Sequence, residues 1–467
     1  MMKYISTRGG KEELTGAQAI IQGIAPNKGL YVPKEVPKLP FAPGEMTGKT
    51  YQEIAYKIIG TFFDDYSEEE MHHCIDGAYD AKFEEKEIVP VTKAGDAFFL
   101  ELYHGKTAAF KDMALSILPY LLTTATKKEH EDKKICILTA TSGDTGKAAL
   151  EGFADVNGTE IIVFFPNQGV SQVQERQMVT QEGENTHVFA IEGNFDDAQT
   201  GVKKIFNDEK FRDKLAGMGC KLSSANSINI GRLVPQVAYY VYGYIKLIER
   251  GVIADGDKIN IVVPTGNFGN ILTDFIETGV YDINRDFYLT NSPSMDILIS
   301  SNLERLLFHL SGDDGAEIKD LMGKLESDKK YRVSDKIKAG MKDFCGGFAD
   351  VEMTNKAIGD MYKDNGYLMD THTAVAYKVY EDYRAKTGDE TPTLIASTAS
   401  AYKFAESVAK SIGLSDEPDG FRYIDAVAKE TGVRVPRGLK DLDKKEIRHD
   451  GVIEIPQMEE TVEHSVK

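Results

Sequence analysis

Tryptophan is absent from this 467-residue sequence, which by itself excludes nothing, and cysteine is scarce. The four cysteines, Cys74, Cys136, Cys220 and Cys345, form no CxxC pair. That argues against a zinc site or a disulfide framework and points to a reducing compartment. Positive charge is in deficit, with 55 Lys and Arg against 74 Asp and Glu and a net charge of −19. Nucleic acid and acidic membrane surfaces are poor partners for such a chain, and an anionic small molecule would need locally concentrated positive charge. No apolar run approaches the ~18 residues of a membrane span. The opening Met-Met-Lys-Tyr-Ile-Ser-Thr-Arg-Gly lacks the apolar stretch of a signal peptide. A cytoplasmic protein is expected. His72-His73-Cys74 is not expected to bind metal, because adjacent residues on a helix diverge around its axis.

What is present is ordinary in bulk, 42% hydrophobic and 28% charged, and long enough for about three domains. Residues 1 to about 90 mix short helical segments with Pro- and Gly-rich turns and carry no catalytic constellation. From Lys133 the texture becomes apolar strands alternating with helices, as in an α/β domain. Strands are predicted at Ile135 to Thr139, Ile161 to Phe165, His187 to Ile191, Ile259 to Val263, Phe287 to Thr290 and Thr393 to Ser397. Gly312 to Gly346 reads as solvated helices on the outside, and the charged tail from Asp441 as peripheral.

One lysine stands where a strand gives way to a helix. Ala97 to Tyr103 is an apolar, aromatic-rich run that reads as a strand. Phe110, Met113, Ala114, Ile117 and Leu118 then recur at helical spacing, until Pro119 kinks or shortens the helix. Lys111 therefore falls in a first helical turn, where unpaired N–H groups disfavour a cation and favour the neutral amine. A buried neutral amine is a nucleophile suited to a Schiff base.

Ligands of open α/β sheets bind at the carboxyl ends of strands. The loop Thr139-Ala-Thr-Ser-Gly-Asp-Thr-Gly-Lys can offer N–H groups and hydroxyls to a carboxylate or phosphate, or can be a plain helix cap through Ser142 or Asp144. It is not a P-loop, because Thr141 and Ala148 occupy positions that motif reserves for Gly and for Ser or Thr. Pro264-Thr-Gly-Asn-Phe-Gly-Asn places Gly266 and Gly269 at a helix start, an anion cradle suited to a phosphate monoester. Ser397-Thr-Ala-Ser-Ala-Tyr-Lys-Phe offers hydroxyls to a heterocyclic nitrogen. A lysine for an aldehyde, a phosphate cradle, a hydroxyl for a ring nitrogen and a loop for a carboxylate together match pyridoxal phosphate holding an amino acid.

With these motifs the chain resembles the threonine synthases of the longer, bacterial and fungal type. The match includes Ser6-Thr-Arg-Gly, Ile21-Gln-Gly-Ile, Gly29-Leu-Tyr-Val-Pro, His104-Gly-Lys-Thr-Ala-Ala-Phe-Lys-Asp and Ala140-Thr-Ser-Gly-Asp-Thr-Gly. It continues through Asn226-Ser-Ile-Asn, Pro264-Thr-Gly-Asn-Phe-Gly, the run from Ser292 to Arg305, Asp370-Thr-His-Thr-Ala-Val and Ser397-Thr-Ala. The resemblance implies fold type II of the pyridoxal-phosphate enzymes: two open α/β domains with the active site in the cleft between them, plus an N-terminal α+β cap. The corresponding divisions are 1–95, 96–225 and 226–467. It implies that Lys111 is the Schiff-base lysine, that Gly266, Asn267, Phe268, Gly269 and Asn270 hold the cofactor phosphate, and that Thr398 partners the pyridine nitrogen. The implied reaction converts O-phospho-L-homoserine and water to L-threonine and phosphate, in a monomer or homodimer. Thr141, Ser142, Asp144, Thr145, Asn226, Ser227 and Asn229 are expected at the substrate, with Arg232 and Arg305 as candidate clamps on its phosphate.

Two motifs depart from the family pattern. Lys106 replaces a proline, and Ser400, Ala401 and Tyr402 stand where that pattern has His-Pro-Ala. They leave open a phospholyase acting on phosphothreonine or a related phosphoamino acid. A catalytically silent phosphometabolite-binding protein is the third possibility.

Overall fold

The computed structural model describes residues 1–141, 143–168, 170–265, 274–284, 290–291, 299–300 and 302–467. Two sheets organise it. The first has the order β13-β7-β6-β5-β8, all parallel, from β5 (Lys134–Ala140), β6 (Thr159–Pro166), β7 (Thr186–Glu192), β8 (Cys220–Ser223) and β13 (Val452–Glu454). The second has the order β3-β4-β12-β9, from β3 (Val91–Ala94), β4 (Ala97–Glu101), β9 (Asn260–Val262) and β12 (Thr393–Ser397). There β12 runs parallel to both β4 and β9, and β3 closes a hairpin onto β4. This is the α/β architecture that alternating strands and helices predict.

The buried strands read as continuous apolar runs because both of their faces are covered. In β5, Ile135 and Ile137 join the core beneath the N-terminal segment, while Cys136 and Leu138 face a second core on the other side. The alternation is the two-residue period of a strand. The N-terminal segment contributes a small antiparallel pair, β1 (Tyr4–Ser6) with β2 (Tyr31–Pro33), and three helices, Gly16–Gln22, Tyr51–Phe62 and Glu68–Ala78. Each helix opens with a reciprocal capping box, Thr15 with Gln18, Thr50 with Glu53 and Ser67 with Glu70. Tyr51–Phe62 packs along the long helix Ile230–Glu249.

Most predicted strands appear. The one placed at Phe287 to Thr290 lies, apart from Thr290, outside the described residues. Pro119 acts as expected. Lys111 precedes a four-residue helix, Asp112–Leu115, and a second helix, Leu118–Lys128, begins with Pro119 in its first turn. The tail is not peripheral: Val452–Glu454 pairs with β7, and Met458 and Val462 of the last helix are buried against the same sheet. A division at residue 225 thus leaves β13 on the far side of the cut from the sheet it joins. Charged outer faces hid the apolar ones. The region Gly312 to Gly346 holds the expected helices, but it also contributes β11 (Lys330–Arg332), paired with β10 (Val280–Asp282) over a small core that includes Ile318, Leu321 and Tyr331.

The helix Asp144–Phe153 approaches the Lys111 segment closely, because a Cβ added at Gly152 would overlap the backbone carbonyl of Leu115. Backbone cannot yield as a side chain end can. Gly152→Ala is expected to destabilise the chain by about 1–3 kcal/mol, read as a lowered urea midpoint; an unchanged midpoint would show that the two helices part freely.

Candidate active site

Strands β4, β5 and β12 deliver the site from their carboxyl ends. The segment after β4 is laced to the segment after β12: Leu102 N donates to the Ser397 carbonyl at 2.9 Å, Phe110 N to the Thr398 carbonyl at 2.7 Å and Ser400 N to the Ala108 carbonyl at 3.0 Å. Lys111 and Thr398 are thereby held side by side through main chain.

Lys111 is buried, with Nζ 3.7 Å from Asp144 Oδ2 and 4.8 Å from the centroid of the Phe110 ring. Burial pushes its amine down to about 8, the Asp144 carboxylate works against that shift, and the Arg232 and Lys403 cations reinforce it. Asp144 opens the helix that follows β5 and is itself buried. The Lys403 and Lys111 cations outweigh its burial and hold it well below the usual carboxylate range. The Thr141 hydroxyl receives N–H bonds from Gly143 at 3.0 Å and Gly146 at 2.9 Å, so it folds the loop that presents Asp144. Thr145 is half-buried beside it, and Ser142 lies outside the described residues.

Thr398 is the second buried group aimed at the site. Among the described residues its Oγ1 has no hydrogen-bond partner, a costly state for a buried hydroxyl unless a ligand completes it. Arg232 is the third. Its Nη1 donates to the Ala225 carbonyl at 2.6 Å, while the buried Nε has no partner among the described residues. Burial pushes the guanidinium down to about 10. An aldehyde-bearing, phosphorylated pyridine fits these groups, with a poised amine for the aldehyde and an orphan hydroxyl for the ring nitrogen. The cradle Gly266 to Asn270 lies outside the described residues.

Other sequence-selected residues act through backbone. Asn229 caps the helix Ile230–Glu249, accepting from Gly231 N at 2.9 Å and donating to the Ile20 carbonyl at 3.0 Å. Arg305 donates to the carbonyls of Tyr31 at 3.0 Å, Ser227 at 2.8 Å and Ile228 at 2.6 Å. It thus ties the N-terminal segment to the loop that precedes Arg232. Asn226 and Ser227 are half-buried in that loop. Of the two departures, Lys106 is half exposed and pairs with Glu151 at 2.6 Å, and Ser400 is buried and caps the turn at Tyr402. Among the described residues no cluster of three or more His, Cys, Asp or Glu could hold a metal, and no helix is long and apolar enough to cross a membrane.

Sequence reasoning missed two supports. One is Lys403, whose fully buried ammonium lies 2.7 Å from Asp144 Oδ1; between Tyr402 and Phe404 it carried no local signal. The other is Asp370, which caps the helix Thr371–Thr387 and accepts from the Thr373 hydroxyl. Thr373 Oγ1 in turn receives Thr398 N at 3.3 Å.

Known proteins agree with this architecture. The family models for the threonine synthase N terminus and for the threonine synthase C-terminal region match residues 3–79 and 373–465. The chain is 36% identical to threonine synthase-like 1 of Homo sapiens over 441 residues, 86% of this chain and 58% of that protein. It thus spans less than two thirds of that relative's length. It is 34% identical to the threonine synthase of Pseudomonas aeruginosa over 445 residues, 89% of this chain and 92% of that one. The crystal structure of PLP-bound threonine synthase from Brucella melitensis superposes with a TM-score of 0.86 at 33% identity, covering 100% of both chains. The fold is therefore the type II fold expected from the motifs. The chain belongs to the threonine synthase family.

Burial pushes the Asp370 carboxyl up to about 7, against the hydrogen bonds it accepts from Thr373 and from the backbone of His372 and Thr373. A carboxyl whose folded pKa is raised favours folding below the ordinary carboxylate range and loses that contribution as pH rises through about 7. Asp370→Asn keeps an acceptor for the helix cap. Between pH 4.5 and 8 the wild type should lose about 1–3 kcal/mol of stability relative to the variant, measured by urea unfolding at both pH values; parallel curves would contradict the assignment.

Proposed function

We propose that the chain is a pyridoxal-phosphate-dependent threonine synthase acting on O-phospho-L-homoserine and water. The observation that carries this reading is Lys111: a buried amine pushed down to about 8, facing an anchored carboxylate at the carboxyl ends of the strands. Bound there, pyridoxal phosphate supplies an electron sink for charge developing on the substrate carbons.

The remaining work belongs to the chain. Lys111 holds the cofactor aldehyde, Thr398 meets the ring nitrogen with a neutral hydroxyl, and Gly266 to Asn270 cradle the phosphate. An amine titrating near neutral pH can both accept and return a proton, so Lys111 also moves the proton of the substrate α-carbon. Asp144 stabilises the ammonium that forms when Lys111 carries that proton. Arg232 offers its unpartnered Nε to the substrate phosphate, supplying the local cation that a chain of net charge −19 requires. Thr145, Asn226 and Ser227 line the substrate, with Ser142. Thr141, Asn229 and Arg305 shape the loops around it. Free, buried Cys74, Cys136 and Cys220 suit a cytoplasmic setting.

A second reading is a phospholyase that eliminates phosphate without hydration. The observation favouring it is Ser400, buried next to the Thr398 segment where the family pattern has an imidazole. One assay separates the readings. Incubated with pyridoxal phosphate and O-phospho-L-homoserine, the protein should release threonine and phosphate in equal amounts. Phosphate with a keto acid would support the lyase, and neither product would leave a binding protein.

Two variants sharpen the assignment. Lys111→Ala should abolish threonine formation together with the borohydride-trapped cofactor adduct on this chain; survival of either removes Lys111 from its role. Arg232→Ala should raise KM for phosphohomoserine about 10- to 100-fold while leaving the cofactor spectrum intact, and an unchanged KM would dismiss it as the clamp.

A further inference from the structure

Lys403 is buried within reach of the site yet touches none of the groups that would react. All of its donor capacity goes to the scaffold: Asp144 Oδ1 at 2.7 Å, Gln177 Oε1 at 2.8 Å and the Thr107 carbonyl at 3.2 Å. These three partners come from three separate pieces of chain. Asp144 opens the helix after β5, Gln177 belongs to the helix Gln172–Val179, and Thr107 to the segment that carries Lys111. Gln174 Nε2 from the same helix adds a second bond to Asp144 Oδ1 at 2.9 Å. One carboxylate oxygen of Asp144 is thus fully engaged, and the other, Oδ2, is left at 3.7 Å from Lys111 Nζ. An isolated ammonium in so dry a place would be prohibitively unfavourable, and only this full set of acceptors makes it tolerable.

We propose that Lys403 is a positioning residue for Lys111: it clamps Asp144 by Oδ1, so that Oδ2 alone faces the reactive amine, and it fixes the Thr107 end of the Lys111 segment at the same time. The proposal rests on the reading of Lys111 as the reactive amine and adds the group that sets when it is protonated. Among the described residues, the charged groups that act most strongly on Lys111 are Asp144 and Asp112 on one sign and Arg232 and Lys403 on the other. Removing the Lys403 charge leaves Asp144 uncompensated, which favours the ammonium form of Lys111. Removing the Asp144 charge does the opposite.

The test titrates Lys111 itself. The full-length protein, freed of cofactor and without substrate, is labelled briefly with acetic anhydride from pH 6 to 10, and acylation of the peptide bearing Lys111 is followed by mass spectrometry. In the wild type the midpoint should lie at about 8. In Lys403→Met it should rise by about one pH unit, in Lys403→Arg it should stay near the wild type, and in Asp144→Asn it should fall. A folded Lys403→Met with an unmoved midpoint overturns the proposal, as does Lys403→Arg moving as far as Lys403→Met. If Lys403→Met does not fold, the isosteric Asp144→Asn decides: an unmoved midpoint there overturns the arrangement. Because no turnover is read, failure of this titration and failure of the threonine assay remain distinct results.

Discussion

A single carboxylate, that of Asp144, is the interaction on which the site depends. It is buried among cations from two other segments, Lys111 and Lys403. In water each of these contacts would be worth little, but in a dry interior an unpaired charge is costly and a paired one is strongly oriented. The alternation of ammonium, carboxylate and amine therefore fixes where three loops must sit. It also leaves the Lys111 amine well below an ordinary lysine, because the attraction of Asp144 does not overcome burial and the two neighbouring cations.

The rest of the fold serves that arrangement. The sheet β3-β4-β12-β9 brings Lys111 and Thr398 together by parallel pairing of β4 with β12, and the other sheet brings Asp144 from the end of β5. Between them, Arg305 and Asn229 hold the approach to Arg232 by gripping backbone carbonyls. Arg8 pairs with Glu304 at 2.8 Å, next to Arg305, so the N-terminal segment anchors the same corner. A cap without catalytic side chains is in this way coupled to the geometry of the site.

Much of this was legible in the chain. Strand–helix alternation gave most strands of the two sheets but not β3, β8 or β13, and the break at Pro119 gave the short helix behind Lys111. Hydroxyls after the strand Thr393–Ser397 were readable from chemistry, while Thr398 in particular was singled out only by the family resemblance. What could not be read was pairing across long sequence separations. Nothing local distinguishes Lys403 from a surface lysine until Asp144 is brought to it, and nothing local marks Arg305 as a holder of carbonyls rather than of phosphate. The tail misled for a related reason: its charged residues mark the solvent face of a helix whose Met458 and Val462 fill a gap on the sheet.

The pairing of β4 with β12 also has a consequence for biosynthesis. Glu101 finds its partner Ser397 only after roughly 300 further residues have been made, about 15–60 s at the usual pace of translation. Throughout that interval one edge of β4, flanked by Phe98 and Phe99, has no native strand beside it. β7 waits nearly as long for β13. The nascent chain thus carries open parallel edges for most of its synthesis, and Asp144, which faces Lys111, meets Lys403 only near the end.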